Sequence, residues 1–206
     1  MVEPSSDPDE IETRLYLIGP SKPSASWVPV LPAVLERVQP AAFLLPLDDD
    51  RDETVARQLR DVCATHQTAF FVQDDLQLAK TLAADGLHSS TPDLVGSLRK
   101  NMAEDVILGT DVGLSRHDAI CAGEEGTDYV AFGRFGEHAP KDILDLINWW
   151  GELFLLPCLT YADDPDDAHE LARAGADFVG VSAALWNHAE SPLQAADDLR
   201  AAIEKN

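Results

Sequence analysis

Two adjacent carboxylates stand where a short apolar run gives way to an amphipathic one, in the stretch FFVQDDLQLAK at residues 70–80. Capping the helix that follows takes a single acid, and Asp75 is placed to accept hydrogen bonds from its first backbone N–H groups. Asp74 is then left at the end of the preceding strand, where a carboxylate needs a cation, a basic side chain or water as its partner. The two acids therefore predict two roles, one in capping and one at a site.

Asp93 offers a second carboxylate near the first. It follows the next predicted strand, directly behind Pro92, so the two acids would come from adjacent loops. Mg²⁺ is typically held by one or two carboxylates together with waters and substrate phosphates. We predict Asp74 and Asp93 as metal ligands; solvation or a salt bridge would equally explain Asp74, and the helix macrodipole would explain Asp93.

Basic groups gather in one glycine-punctuated loop, GRFGEHAPK at residues 133–141, which contains Arg134, His138 and Lys141. The chain has only 15 Lys and Arg residues against 37 acids, so this concentration predicts an anion site. The alternative stays open that Lys141 is a surface residue in the first turn of a helix and that His138 is a polar loop residue.

Other polar side chains also follow predicted strands. Gln73 and Ser182 are candidates for binding a substrate. The remaining ones are Ser21, Lys22, Asp48, Asp49, Asp50, His88, Asp111, Thr160, Asp163 and Asp164. Surface clusters of acids are expected in so acidic a protein, and Asp164 before Pro165 is explained as a helix cap.

Eight short apolar runs alternate with helical patterns and would position these residues. The runs occupy residues 14–19, 41–47, 69–73, 85–89, 106–111, 129–135, 153–161 and 178–185. Most are apolar throughout, which is typical of parallel strands covered on both faces. A repeated helix–turn–Asp–strand unit recurs at Asp85, Asp128 and Asp177. Together these patterns predict a single-domain (β/α)8 TIM barrel over residues 13–206, with a doubly wound open sheet as the alternative.

Composition limits the partners and the compartment. A formal net charge of −22 argues against nucleic acid and anionic membranes, because both reward clustered Lys and Arg. No apolar run approaches the roughly 20 residues of a membrane span. Residues 1–12 are polar and acidic without a hydrophobic targeting core, so we predict a disordered tail and a cytoplasmic protein. The three cysteines form no CxxC pattern, which fits a reducing compartment.

Several phrases of the chain, taken in order, resemble one known family. They are LYLIG, QDDLQLAKTLAADGLH, ILGTDVGLSRHDAICAGEEGTDYVAFG and LPCLTYADDPDDAHELARAGADFVGVSAAL. Over nearly the whole chain they resemble the thiamine-phosphate synthase family and its relative, the thiazole tautomerase. The resemblance implies the same barrel and a reaction that joins a pyrimidine pyrophosphate to a thiazole phosphate, releasing pyrophosphate with Mg²⁺ present.

The resemblance also implies residue roles. The family ends its third strand in Asn-Asp, which Gln73-Asp74 match, and Asp74 would serve the metal. Its His-Leu-Gly-Gln-x-Asp is matched by residues 88–93, so Asp93 would be the second ligand. Its Thr-x-Thr-Lys, which engages the substrate phosphates, is matched by residues 138–141, where Lys141 alone is kept and would stabilise the departing pyrophosphate.

Three family features are replaced in this chain. Residues 45–48 read LPLD where the family has Gln-x-Arg-x-Lys, Asp111 stands in place of a Ser, and Ala162-Asp163 replace the Gly-Gly that binds the thiazole phosphate. Arg134 and His138 could compensate locally. The alternative is a catalytically eroded family member that binds a thiamine-related ligand or a protein partner.

The tautomerase's catalytic His would fall near Gly113, so tautomerase activity is not expected. A different small-molecule enzyme on the same barrel could use Asp48 and Asp111 as general bases.

The adjacent Trp149 and Trp150 cannot easily face one way on a helix, which predicts either an exposed indole at a homodimer contact or an indole packed against a neighbouring helix.

Overall fold

Eight parallel strands close into one barrel in chain order, each hydrogen-bonded to its sequence neighbours and the last to the first. The computed structural model describes residues 13–20, 25–46, 52–134, 141–187 and 191–204, with only the backbone described at 141, 142, 183 and 184. The strands are β1 Arg14–Ile18, β2 Ala42–Leu45, β3 Ala69–Gln73, β4 Gly86–Ser89, β5 Ile107–Gly113, β6 Tyr129–Phe132, β7 Cys158–Ala162 and β8 Phe178–Val181. The predicted (β/α)8 TIM barrel is confirmed. The tail predicted over residues 1–12 lies outside the described residues.

Helices cover the outside of the barrel. They are α1 Leu31–Val38, α2 Glu53–Thr65, α3 Leu76–Leu82, α4 Val95–Arg99, α5 Arg116–Glu124, α6 Lys141–Leu153, α7 Pro165–Arg173, α8 Ala183–Trp186 and α9 Pro192–Ile203, with a 3₁₀ turn at Pro92–Leu94. Their apolar stripes pack on the outward faces of the strands, where Val and Leu side chains form the larger of two buried cores. Among the described residues, no helix is long and apolar enough to cross a membrane.

Side-chain caps begin several of the helices, and the caps predicted at Asp75 and Asp164 are confirmed. The side chains of Asp75, Ser115 and Asp164 each accept a hydrogen bond from a backbone N–H three residues on. Thr91 differs: it occupies the cap position before Pro92, but its side chain makes no capping hydrogen bond. The turn that follows is a short 3₁₀ segment.

Strand seven begins later than its apolar run predicted. The run started at Leu153, but Leu153 is the last residue of α6, and β7 starts at Cys158. A continuous apolar stretch cannot separate a helix end from a strand by periodicity alone. Here the helix end and the connecting loop leave Leu155 fully exposed. The runs at 129–135 and 178–185 likewise outlast their strands, which end at Phe132 and Val181.

The repeated Asp of the helix–turn–Asp–strand unit has the same structural role three times. These residues, Asp85, Asp128 and Asp177, are called here the strand-start aspartates. Each lies just before an even-numbered strand and accepts a hydrogen bond from a backbone N–H at the start of the preceding odd-numbered strand, at 2.7 Å, 2.7 Å and 2.8 Å. These hydrogen bonds therefore link neighbouring strands at the N-terminal end of the barrel.

Aromatic rings fill the barrel interior over glycines on the neighbouring strand. The paired positions are Phe71 with Gly86, Tyr129 with Gly109, and Tyr161 with Gly180. A Cβ on Gly109 would lie 1.9 Å from the Tyr129 ring, so no larger residue fits unless the ring moves. These rings and the aliphatic side chains around them form the second, interior core.

The two adjacent tryptophans divide between the core and the surface. Trp150 is buried, stacks on Phe154 with ring centroids 4.1 Å apart, and donates its indole N–H to the Leu156 carbonyl at 2.6 Å. Trp149 is half-buried, and the Arg116 guanidinium lies 4.5 Å from its ring centroid. Trp150 is therefore packed in the core against β6 and the chain that follows its own helix, whereas Trp149 contacts Arg116 of the separate helix α5. The homodimer stays a prediction.

Candidate active site

Ser90 links the ends of β3 and β4 at the C-terminal mouth of the barrel, where the active sites of such barrels lie. Its backbone N–H and its hydroxyl donate to the two carboxylate oxygens of Asp74, at 2.7 Å and 2.5 Å. Its hydroxyl also accepts from the Gln73 side-chain amide at 3.0 Å. The two predicted residues Gln73 and Asp74 are thus held together by a third residue that the sequence did not single out.

The backbone of Asp74 adopts an unusual conformation. Its φ is +53°, in the left-handed region that few residues other than glycine adopt, and its N–H donates to the His88 carbonyl at 3.0 Å. Such a conformation costs free energy and persists only where the surroundings hold it, as they often do at functional sites. The strained turn directs Asp74 toward Ser90, while Asp75 caps α3 as predicted.

Asp93 lies on the loop next to Asp74 in the barrel. It is exposed in the 3₁₀ turn after β4 and makes no side-chain hydrogen bond or ion pair with any residue within the described ranges. Its carboxylate is therefore open to solvent or a ligand. The two acids come from neighbouring βα loops, as the sequence predicted.

The predicted anion-binding residues are described only in part. Arg134 is exposed and follows Gly133, whose N–H donates to the Gly113 carbonyl across the ends of β5 and β6. Its Nε would lie 4.0 Å from a Cβ placed on Gly113, so the side chain reaches back over the end of β5. Lys141 is the first residue of α6, described by its backbone, and His138 lies outside the described residues.

Ser182 lies directly behind β8, at the start of the short helix α8. Its carbonyl accepts hydrogen bonds from the N–H groups of Leu185 and Trp186 at 3.0 Å and 2.9 Å. Close by, the Trp186 indole donates to the Ile18 carbonyl at 2.6 Å and meets Trp27 edge-on. Ser182 therefore occupies the mouth, as predicted, beside a pair of tryptophans that close the gap between β8 and β1.

A chain of buried hydrogen bonds runs through the interior below this mouth. The Tyr16 and Tyr129 hydroxyls are 3.0 Å apart, and the Tyr129 hydroxyl is 2.8 Å from His88 Nδ1. His88 Nε2 is 3.1 Å from Asp111 Oδ1, which also accepts from the Tyr161 hydroxyl at 2.5 Å. These five residues, called here the interior network, join strands β1, β4, β5, β6 and β7.

Burial keeps the hydroxyls of the interior network neutral. It raises the pKa of Tyr16, Tyr129 and Tyr161 well above the ordinary value of 10.0, because a phenolate would be desolvated there. The nearby Asp111 charge raises these pKa values further. The three phenols of the network are therefore neutral hydrogen-bonding groups.

Sequence reasoning noted His88 and Asp111 at strand ends but missed the three tyrosines and Ser90. A signal was present, because the tyrosines occupy inward positions that alternate along their strands and lie opposite Gly or Ala. The strand pairing that brings them together was not readable. Asp48, Asp49 and Asp50, like Ser21 and Lys22, lie outside the described residues.

The donor set at the mouth fits Mg²⁺. Asp74 and Asp93 offer carboxylate oxygens, which hard divalent cations prefer. The Ser90 bonds leave further lone pairs on Asp74, because each carboxylate oxygen has about two acceptor sites. No group of three or more His, Cys, Asp or Glu suited to a metal occurs in the part of the chain that the structure describes. Two carboxylates completed by waters and phosphates are the arrangement expected for Mg²⁺.

Comparison with known proteins identifies the family. A family model described as thiamine monophosphate synthase matches residues 33–185. The chain is 38% identical to the thiamine-phosphate synthase of Erythrobacter litoralis, over 86% of this chain and 90% of that protein, and 37% identical to that of Rhodospirillum centenum, over 91% and 96%.

A solved structure shares the fold. The thiamine phosphate pyrophosphorylase from Pyrococcus furiosus superposes with a TM-score of 0.78 over 95% of this chain and 97% of that one, at 24% sequence identity. At that identity the likeness supports the barrel alone, whereas the sequence relatives carry the assignment. The family model and the two sequence relatives show that the chain belongs to the thiamine monophosphate synthase family.

Proposed function

We propose that this protein is a cytoplasmic thiamine-phosphate synthase, which joins a pyrimidine pyrophosphate to a thiazole phosphate and releases pyrophosphate. The observation that carries the proposal is the identity of 37–38% to two relatives of that name over 86–91% of the chain. The strand-end acids Asp74 and Asp93 support it, since they stand at the positions where the family resemblance expects metal ligands.

In this proposal Asp74 and Asp93 hold Mg²⁺, which when bound neutralises charge on the pyrophosphate leaving group. Ser90 fixes the orientation of Asp74 through two hydrogen bonds. Gln73 is held against the same serine, and we assign it to substrate binding. A group that is already oriented loses little entropy when the substrate arrives, which favours catalysis by positioning.

Lys141, Arg134 and His138 bind the phosphates in this proposal, and Ser182 contributes to the mouth from the end of β8, two strands away. Lys141 begins a helix of 13 residues, and a helix N-terminus favours anions. Arg134 is exposed, its side chain reaches over the end of β5, and in this proposal its guanidinium contacts a phosphate. The protein would supply position and charge, with no covalent nucleophile.

The direct test is an assay of the purified protein with both substrates and Mg²⁺. We expect formation of thiamine phosphate, detected by mass spectrometry, and release of one pyrophosphate for each product. The absence of both products at high enzyme concentration, where a known synthase gives them, would reject the proposal.

Asp74 and Asp75 form a matched pair for testing the metal site. Asp74→Asn should lower kcat/KM by about 100-fold, a loss typical when an electrostatic group is removed, and should raise the Mg²⁺ concentration needed for half-maximal rate. Asp75→Asn removes the same charge one residue away but keeps a good helix cap, so its activity should match the wild type. Equal activity of the two variants would contradict the assignment.

A catalytically eroded family member is the second candidate. The observation that favours it is the loop after β7, where Asp163 stands at the position of the family's phosphate-binding Gly-Gly. The Asp163 N–H already donates to the Asp167 carboxylate of the chain's own α7 at 3.3 Å. A thermal shift by thiamine or an aminopyrimidine, with none by pyrophosphate and Mg²⁺, would favour this candidate.

A further inference from the structure

We propose that the N-terminal end of the barrel holds a second ligand site, a cavity that takes a small aromatic carboxylate. The cavity has a volume of about 340 Å³ and lies among the residues with which the strands begin. Ligand pockets in proteins typically measure about 300–1,000 Å³. The acids Asp74 and Asp93 follow strands at the other end of the barrel, so this inference is independent of the proposed function.

Three alanines open the cavity. Ala42 and Ala69 are the first residues of β2 and β3, lie opposite each other in the strand pairing, and line the cavity together with Ala41. The interior layers of such barrels are usually filled by bulky branched side chains that alternate along the strands. Methyl groups on two adjacent strands therefore leave open space where a packed layer would place larger side chains.

Aromatic rings form the wall and the inner end of the cavity. They belong to Tyr16, Phe71, Tyr129 and Phe178. The Phe71 ring meets those of Tyr16 and Tyr129 edge to face, with centroids 5.7 Å and 6.2 Å apart. The Tyr129 and Phe178 rings meet in the same way, with centroids 6.5 Å apart. A flat aromatic ring suits this wall, because aromatic rings attract one another in edge-to-face and offset geometries.

Arg14 supplies a positive charge at the rim. It is the first residue of β1, lies opposite Phe178 in the strand pairing, and is exposed. Within the described parts of the chain, its guanidinium has no hydrogen bond or ion pair, which is notable in a protein with 37 acids and 15 Lys and Arg residues. The planar fork of an arginine can bind a carboxylate through two parallel hydrogen bonds.

Asp128 is the other charged residue that lines the cavity, and it is already paired. Its carboxylate forms an ion pair with Arg99 and accepts the Leu108 N–H at 2.7 Å. The unpaired charge at the cavity is therefore positive, although the whole chain carries a net charge of −22. More distant acids are screened over about 8 Å at physiological ionic strength, so the nearby Arg14 decides the sign of the ligand.

The cavity is open to solvent and closed toward the catalytic mouth. Ile107 at its rim is 39% exposed, so a ligand that covers this side chain gains from burying apolar surface. On the inner side Tyr16 and Tyr129 are almost fully buried, and the aliphatic side chains of the interior core pack with them. A ligand at this site would therefore bind without reaching the substrates.

The test uses benzoate as the probe, with benzamide as its neutral isostere and benzylamine as its cationic counterpart. Each compound is titrated at neutral pH into the full-length, isotope-labelled protein, and the amide NMR shifts are followed. We expect saturable shifts with benzoate at the strand starts, above all at Ala42, Ala69 and Ile107. Benzamide should bind about tenfold more weakly, because a charge-assisted hydrogen bond contributes more than a neutral one. Tighter binding of benzylamine than of benzoate, or no saturable shift with benzoate, overturns the inference.

A matched pair of arginine variants tests the charge at the rim. Arg14→Gln should weaken benzoate binding about tenfold and leave benzamide binding unchanged. Arg57→Gln removes the same charge from an exposed position on α2, away from the cavity, and should bind benzoate as the wild type does. Equal affinity of the Arg14→Gln and wild-type proteins for benzoate overturns the inference.

Ala69→Leu tests the cavity itself, because it places a branched side chain in the open space. It should abolish the shifts that benzoate produces. A folded Ala69→Leu protein that binds benzoate as tightly as the wild type overturns the inference. If this variant does not fold, the comparison of Arg14→Gln with Arg57→Gln decides. None of these titrations uses the synthase reaction, so their failure is distinguishable from a failure of the proposed function.

Discussion

The residues of the interior network differ in how strongly the stability of the folded protein depends on them. Tyr129 has partners on both sides, since its hydroxyl contacts Tyr16 and His88. Tyr16 stands at the end of this series of hydrogen bonds, and its hydroxyl has one such partner among the residues that the structure describes. Because a buried polar group without a partner costs more than a hydrogen bond contributes, the middle of such a chain is more sensitive than its end.

Tyr129→Phe should therefore destabilise the protein more than Tyr16→Phe. Loss of the Tyr129 hydroxyl leaves both Tyr16 and His88 Nδ1 without their partner, at an expected cost of about 2–3 kcal/mol. Tyr16→Phe leaves only Tyr129 with one bond fewer, at an expected cost of about 1 kcal/mol. Urea unfolding followed by circular dichroism measures both values, and a smaller loss for Tyr129→Phe would contradict the described network.

At the scale of elements, three strand pairs of the barrel share the same two kinds of contact. In β3–β4, β5–β6 and β7–β8, a strand-start aspartate ties the N-terminal ends together, and an aromatic ring lies over a glycine in the interior. In the pair β1–β2 the aromatic ring of Tyr16 lies opposite Ala42 instead of a glycine. The local sequence repeat is thus also a repeat of strand-to-strand contacts.

Asp177→Ala tests the hydrogen bond of a strand-start aspartate, because Asp177 is the least exposed of the three. Its carboxylate accepts from the Cys158 N–H, and its removal leaves that amide at the start of β7 without a partner. We expect a loss of about 1–2 kcal/mol in the free energy of unfolding, and a smaller loss for Asp177→Asn, which keeps an acceptor oxygen. Asp105→Ala, at an exposed position, should change stability little. Equal stability of all three variants would show that this hydrogen bond contributes nothing.

At the scale of the whole molecule, most acids lie at the surface, whereas several phenols and thiols are buried. The chain carries 37 acids and a formal net charge of −22, yet its deep interior holds phenols and thiols. Burial raises the pKa of Cys63 and Cys158 from 9.0 to about 12, and it raises the pKa of the three network tyrosines as well. In the folded protein these groups keep their protons at pH values where an unfolded chain loses them.

Stability should therefore decline in alkaline solution. A group with a raised folded pKa contributes stability that is present below its unfolded pKa and is lost as the pH rises above it, here from 9.0 toward about 12 for the two thiols. Each such group lowers the unfolding free energy by about 1.4 kcal/mol per pH unit in that range. Urea unfolding between pH 7 and 10.5 measures the slope, and Cys158→Ala should flatten it. A slope of zero above pH 9 would contradict the described burial.

The residues that were predictable from sequence are those whose role is local. Asp75 and Asp164 could be assigned as caps because a cap bonds a backbone group three residues away. Strand seven was misplaced at its start because Leu153–Pro157 is as apolar as a strand, although the chain there is a helix end and a loop. The partner of Asp74 was not predictable, because Ser90 lies 16 residues further on, on the next strand.

The sequence by itself determined the barrel, the family and the positions of the strand-end acids, because apolar runs, caps and turn residues act over a few residues and leave a visible pattern. The tertiary structure alone decided which side chains meet inside the barrel. Tyr16 and Tyr129 are 113 residues apart, and Tyr161 and Asp111 are 50 apart. Their contacts exist because closing the barrel fixes the register of all eight strands at once, and no local pattern encodes that register.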